Sequence, residues 1–163
     1  SPYRSISAAL NFISSGQTIS VESGTYTENI VWSPYDGVSL IGQGSDNTII
    51  DGGGVGRTLY MDGVTATIQG LSITGGFLDD DQGAGIYSNQ SDILFDDVKI
   101  HGNHINSELN EQRYGGGGYI EGGNITFQNS EISDNSVNSS DTPSTSFPTI
   151  KHIGKLISVL KIF

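Results

Sequence analysis

Three stretches of this chain repeat one another, and a fixed internal period makes a chain fold as a stack of similar units rather than around one globular centre. Thr58–Gly76, Gly85–Asn103 and Gly118–Asn135 align with a single one-residue gap. Their equivalent isoleucines are Ile73, Ile100 and Ile132, so the second step is the longer one. The length difference lies between repeats, in Phe77–Gln82, which carries Asp79, Asp80 and Asp81, and in His104–Tyr114, which carries Glu108, Glu111 and Arg113. Inserts of unequal length in a solenoid emerge as loops from one face, often the binding face.

The units are built from strands. Twenty-three glycines and only 15% charged residues suit short strands joined by tight turns. Thr18–Glu22, Glu28–Trp32, Val38–Ile41, Thr48–Asp51, Thr58–Met61, Ala66–Gln69 and Leu71–Thr74 read as strands bounded by Gly, Asn or Asp. Before them, Ile6, Ala9, Leu10 and Ile13 form one stripe behind Ser5 or Ser7, predicting a short amphipathic helix. The glycines of Gly83–Gly85 and Gly115–Gly118 mark close backbone approach; with no Lys and no helix pattern after them, a phosphate-cradling loop is the weaker reading.

The chain divides into a repeat region over 1–138, a Ser/Thr/Pro-rich linker over 139–148 and a basic, apolar tail over 149–163. Arg4, Arg57, Lys99 and Arg113 stand against all 18 acidic side chains in residues 1–141, a charge of -14, whereas the stretch 142–163 carries +3. Ile150, Ile153, Leu156 or Ile157, and Leu160 recur at helical spacing, which predicts a helix covering the open end of the solenoid. A non-native ending, or membrane-surface binding through Lys151, Lys155 and Lys161, are the alternatives.

A net charge of -11 argues against nucleic acid as a partner, since phosphate binding needs clustered Lys and Arg. The absence of cysteine removes disulfides, thiolate metal sites and thiol nucleophiles. No apolar run reaches the ~18 to 20 residues of a membrane-spanning helix. His101, His104 and His152 are too scattered to suggest a zinc triad.

The opening residues Tyr3–Leu10, Gly16–Val21 and Ser23–Ile30, followed by Ile49–Gly52, Ile68–Gly76 and Gly83–Tyr87, resemble the pectin-lyase-like β-helices of bacterial secreted proteins over roughly residues 3 to 138. The resemblance implies an all-β, right-handed parallel β-helix of three sheets with aliphatic stacks inside, polar ladders at the turns, and an extracellular or cell-surface location as part of a longer exported protein. Asn103 and Asn135 occupy equivalent positions and are the candidate asparagine ladder.

The activities of this fold family are only partly matched. Gly24–Glu28 resembles the Gly-x-Tyr-x-Glu motif of pectin methylesterases, but their Gln-Asp pair and aspartate before an aromatic Gly segment are missing, and Glu28 reads as a strand or turn residue. For a polygalacturonase-like hydrolase the nearest carboxylate pair is Asp96–Asp97, whose side chains point to opposite faces of a strand unless a bulge intervenes. A polysaccharide lyase of this fold pairs an acidic Ca²⁺ site with a basic proton acceptor, because a hard cation takes oxygen ligands and a carbon-bound proton leaves only when the developing charge is stabilised. Asp79, Asp80, Asp81, Asp96 and Asp97 are the candidate Ca²⁺ ligands, with Lys99 or Arg113 as base; the competing reading of Asp79–Asp81 is a solvated turn. Tyr87 and Tyr119 lie at equivalent positions, as a packing ladder or as sugar-stacking rings. The leading reading is a non-catalytic scaffold that needs no cofactor and presents loops to a polysaccharide or cell-surface glycan. A Ca²⁺-assisted lyase acting on acidic glycans and a purely structural, self-associating repeat are the alternatives.

Overall fold

The computed structural model describes residues 2–107, 114–139 and 150–158, the last stretch by its backbone. Ser5 caps helix α1, Ile6–Leu10, by accepting the Ala8 N–H at 3.1 Å, and Ile6, Ala9 and Leu10 are buried. The first coil follows as β1 (Thr18–Ser20), β2 (Gly24–Thr27) and β3 (Ile30–Val31), and the second as β4 (Val38–Ile41), β5 (Thr48–Asp51) and β6 (Leu59–Asp62). The third coil is β7 (Thr65–Thr74), β8 (Phe77–Asp79) and β9 (Ile86–Asn89). The fourth opens with β10 (Asp92–His101) and β11 (His104–Ser107), and β12 (Gly118–Gln128) closes it and starts the next; β13 (Glu131–Ser133), β14 (Ser136–Ser139) and β15 (Ile150–Ser158) follow.

Among the described residues every pairing is parallel and joins one coil to the next, which defines a parallel β-helix. One side stacks β1, β4, β7, β10 and β12; a second stacks β2, β5, β7, β10 and β13; a third stacks β3, β6, β9, β12 and β15. Because β7, β10 and β12 are long enough to run round a corner, these sides fuse into one sheet of twelve strands. A separate three-stranded sheet, β8–β11–β14, lies between the second and third sides.

Alternation within each strand sends one set of residues inward, and the register stacks like on like. Leu40, Ile68, Phe95 and Phe127 form one buried row, and Ile50, Ile73 and Ile100 another. At the corner between the first two sides Gly70, Asp97 and Asn129 all adopt a left-handed φ, of 65°, 51° and 49°. Gly, Asp and Asn tolerate that conformation best, so the sequence varies there without breaking the turn. The corner also keeps Asp96 and Asp97 both off the core, since Phe95 and Val98 flank them inward.

Three sequence expectations are corrected. The repeats need no gap: Gly118 pairs with Ile86, Ile125 with Ile93 and Ile132 with Ile100, one unchanged offset from the first pair to the last. Phe77–Asp79 and His104–Ser107, read as the starts of loops, are strands that pair with each other, because each short segment finds its ladder in the neighbouring coil. Within the tail, Ile150–Ser158 is a strand pairing with β12 rather than a helix; its β-branched residues fit a ladder, and the exposed edge of β12 supplies one.

Glu28 has a structural task. Its Oε1 accepts the Ile6 N–H at 2.8 Å and its Oε2 the Ser7 N–H at 2.9 Å, so the first coil holds the N-terminal turn of α1 across the end of the solenoid. Glu28→Ala removes two charge-assisted hydrogen bonds and should cost about 1.5 to 3 kcal/mol in denaturant unfolding. A loss below about 0.5 kcal/mol, the level of an ordinary surface substitution, would show that the helix is held by packing alone.

Candidate functional site

The outward face of the third side carries a continuous row of mostly aromatic side chains. Val31, Tyr60, Tyr87 and Tyr119 follow one another in register, one per coil. The Tyr60 and Tyr87 rings stack at 5.5 Å between centroids, and Tyr87 and Tyr119 at 5.6 Å. Two residues further along each strand, hence on the same face, stand Asp62, Asn89 and Glu121. Val31 is 70% exposed, and a shallow depression lies between it and Tyr60, lined also by Asn29, Ile30 and Arg57.

Arg57 staples this face to the neighbouring turn. Its guanidinium carbon lies 4.8 Å from the Tyr87 centroid, its Nε donates to the Gly83 carbonyl at 3.0 Å, and one terminal nitrogen meets Gln82 O at 2.7 Å and Asp81 Oδ2 at 3.0 Å. Burial, and then the hydrogen bond to Glu121, hold the Tyr87 phenol above its ordinary pKa, so it stays protonated and donates to that carboxylate at 3.2 Å. Tyr60, Arg57, Asp62 and Glu121 are functional candidates that sequence reasoning missed. Tyr60 was visible, since it aligns with Tyr87 in the repeat; the charged flank depends on which strand face points outward.

The residues singled out from the sequence are distributed over separate ladders. Asp79 accepts from Asn106 Nδ2 at 3.2 Å, Asp80 from the Ser107 hydroxyl at 3.2 Å, and Asp81 is the partner of Arg57. Asp96 accepts from Gln69 and Asn129, and Asp97 from the Ser45 hydroxyl at 3.0 Å. Asp79–Asp81 and Asp96–Asp97 thus do not share one set of neighbours, and among the described residues no three His, Asp or Glu side chains converge as a metal site.

Lys99 is bonded to Asp46. The hydrogen bond to that carboxylate raises the ammonium above its ordinary pKa, a protonated state that works against proton abstraction. Asp46 comes from the Gln43–Asn47 corner of the second coil, which is longer than its counterpart in the third: Ile41 pairs with Gln69, yet Ile49 already pairs with Ser72. That longer corner folds over two later coils, and its residues hold both Lys99 and Asp97. Arg113, with Glu108 and Glu111, lies outside the described residues.

Asn103 and Asn135 form the expected ladder: both are buried, and Asn103 Nδ2 donates to Asn135 Oδ1 at 2.9 Å. His104 stacks on Phe77 at 5.5 Å and bonds to the Ser136 hydroxyl at 2.7 Å through Nδ1.

No family model and no curated protein matches the chain. Among solved structures it is similar to a pectin methylesterase mutant crystallised in complex with a hexasaccharide, with 13% sequence identity and a TM-score of 0.49 over 88% of this chain and 54% of that one. The chain therefore spans about half the length of that protein. The parallel β-helix assignment stands on the strand register itself. Among the described residues no helix is long and apolar enough to cross a membrane.

Proposed function

We propose that the chain is a non-catalytic β-helix scaffold of an extracellular or cell-surface protein, binding polysaccharide along the outward face of its third side. The observation that carries the reading is the unbroken row Val31–Tyr60–Tyr87–Tyr119 with its polar flank, which runs in the stacking direction of the coils and so matches an extended chain. Tyr87 has Tyr60 and Tyr119 on its two faces, leaving its edge and hydroxyl outward. The face of Tyr60 turned toward Val31 borders the depression and offers an apolar platform for a sugar ring. The pairing of Lys99 with Asp46 and of Asp81 with Arg57 supports a scaffold over a lyase.

Migration through gels containing soluble polysaccharides tests binding, and ultraviolet absorbance with acidic polysaccharides, with Ca²⁺ or chelator, tests elimination. The expected result is retardation on at least one glycan, weakened about tenfold by Tyr60→Ala, with flat absorbance throughout. Unretarded migration on every glycan favours a purely structural repeat. A Ca²⁺-dependent rise in absorbance makes the protein an eliminase and puts Asp79, Asp80, Asp81, Lys99 and Arg113 first for mutagenesis.

A further inference from the structure

The tyrosine row carries two exposed carboxylates whose charge no described cation balances. Asp62 follows Tyr60 by two residues and Glu121 follows Tyr119 by two, so each lies beside a ring on the same face. Asn89 stands between them in register and donates to Asp62 Oδ1 at 2.8 Å. Arg57 reaches the row from its edge, but its charge is matched by Asp81. Its guanidinium carbon lies 4.8 Å from the Tyr87 centroid and 5.8 Å from that of Tyr60, so the row already has a cation beside two of its rings. Beyond Tyr119 the backbone register continues to Lys151.

Resting on the glycan-binding reading above, we infer that the ligand is a polymer of amino sugars in its protonated form, with ammonium groups at Asp62 and Glu121 and ring hydroxyls at Asn89 and the phenol edges. Ammonium–carboxylate hydrogen bonds are stronger than neutral ones, and aromatic rings attract cations. A polyuronate laid on the same row sets its carboxylates against Asp62 and Glu121, and that repulsion is selective because both charges stand on the binding face. Asp62 and Glu121 thereby select the sugar, while the tyrosines supply a surface that any pyranose could use.

Titration calorimetry of the full chain with three probes tests this: a glucosamine hexamer at a pH where its amines are charged, its fully N-acetylated counterpart, and a galacturonate hexamer. The glucosamine hexamer should bind about tenfold or more tighter than the acetylated one and weaken with salt; Asp62→Asn combined with Glu121→Gln should erase that preference. Glu22→Gln, an exposed carboxylate away from the row, should leave binding unchanged. If Glu22→Gln weakens binding as much as the double variant, the attraction is to the overall charge of -11 and the inference falls. Preferential binding of the galacturonate hexamer overturns the choice of ligand and leaves the glycan-binding scaffold standing. Binding of none of the three removes this inference, and the broader gel series then decides whether the scaffold reading falls with it.

Discussion

Phe95→Ala should lower the free energy of unfolding by about 3 to 5 kcal/mol, the range for emptying an aromatic site in a closed core. Phe95 is 1% exposed, stacks on Phe127 with centroids 4.9 Å apart, and faces Ile68 of the preceding coil. The cavity would open in the middle of the stack, where neighbours on both sides are fixed by backbone ladders and collapse little. A whole domain is stable by only about 5 to 15 kcal/mol, so a substantial fraction of the stability rests on this ring. The loss should appear as a lower denaturant midpoint at unchanged slope. Phe127→Ala should behave similarly, and the double variant should lose less than the sum, because the two rings share one contact. A single-variant loss under about 1 kcal/mol would falsify the tightly packed row.

Asn103→Ala should cost about 2 to 4 kcal/mol, although it removes only a small polar side chain. Asn103 is fully buried; its Oδ1 accepts the Gly76 N–H at 2.9 Å, and its Nδ2 serves Asn135 Oδ1 and the Ile73 and His101 carbonyls. Alanine leaves these groups facing an apolar interior, each at about 1 to 3 kcal/mol for a buried polar group without a partner. Asn106→Ala, in the adjoining strand β11 and bonded at the surface to Asp79, should stay within about 1 kcal/mol. Equal losses at the two positions would mean that the buried ladder contributes no more than a surface amide pair.

The fold was legible because its strongest constraint is a repeat. Ile73, Ile100 and Ile132, aligned from sequence, are register partners, and Asn103 and Asn135 meet as expected. Less legible were elements whose identity depends on a neighbour. Phe77–Asp79 becomes a strand because His104–Ser107 lies beside it, and Ile150–Ser158 because β12 does; periodicity within either segment cannot report a partner. The candidate site was half visible. Tyr87 and Tyr119 were found by alignment, but the bond from Lys99 to Asp46 crosses from the second coil to the fourth through a corner that the aligned repeats did not include. Glu28 reads from sequence as a mere strand or turn residue for a related reason, since its partners Ile6 and Ser7 lie almost a whole coil upstream.

The jump in coil length has one address. Asn106 pairs with Asp79 in the same register as His104 with Phe77, whereas Gly118 is already the partner of Ile86, so the additional residues of the fourth coil enter between Ser107 and Gly118. Strands on either side keep their partners despite the extra chain, and lengthening a flexible connection costs only about 0.6 kcal/mol per doubling. The stack therefore keeps time by its strands and not by the length of chain between them: a sequence spliced between Ser107 and Gly118 should leave the pairing of β11 with β8 and of β12 with β9 unchanged.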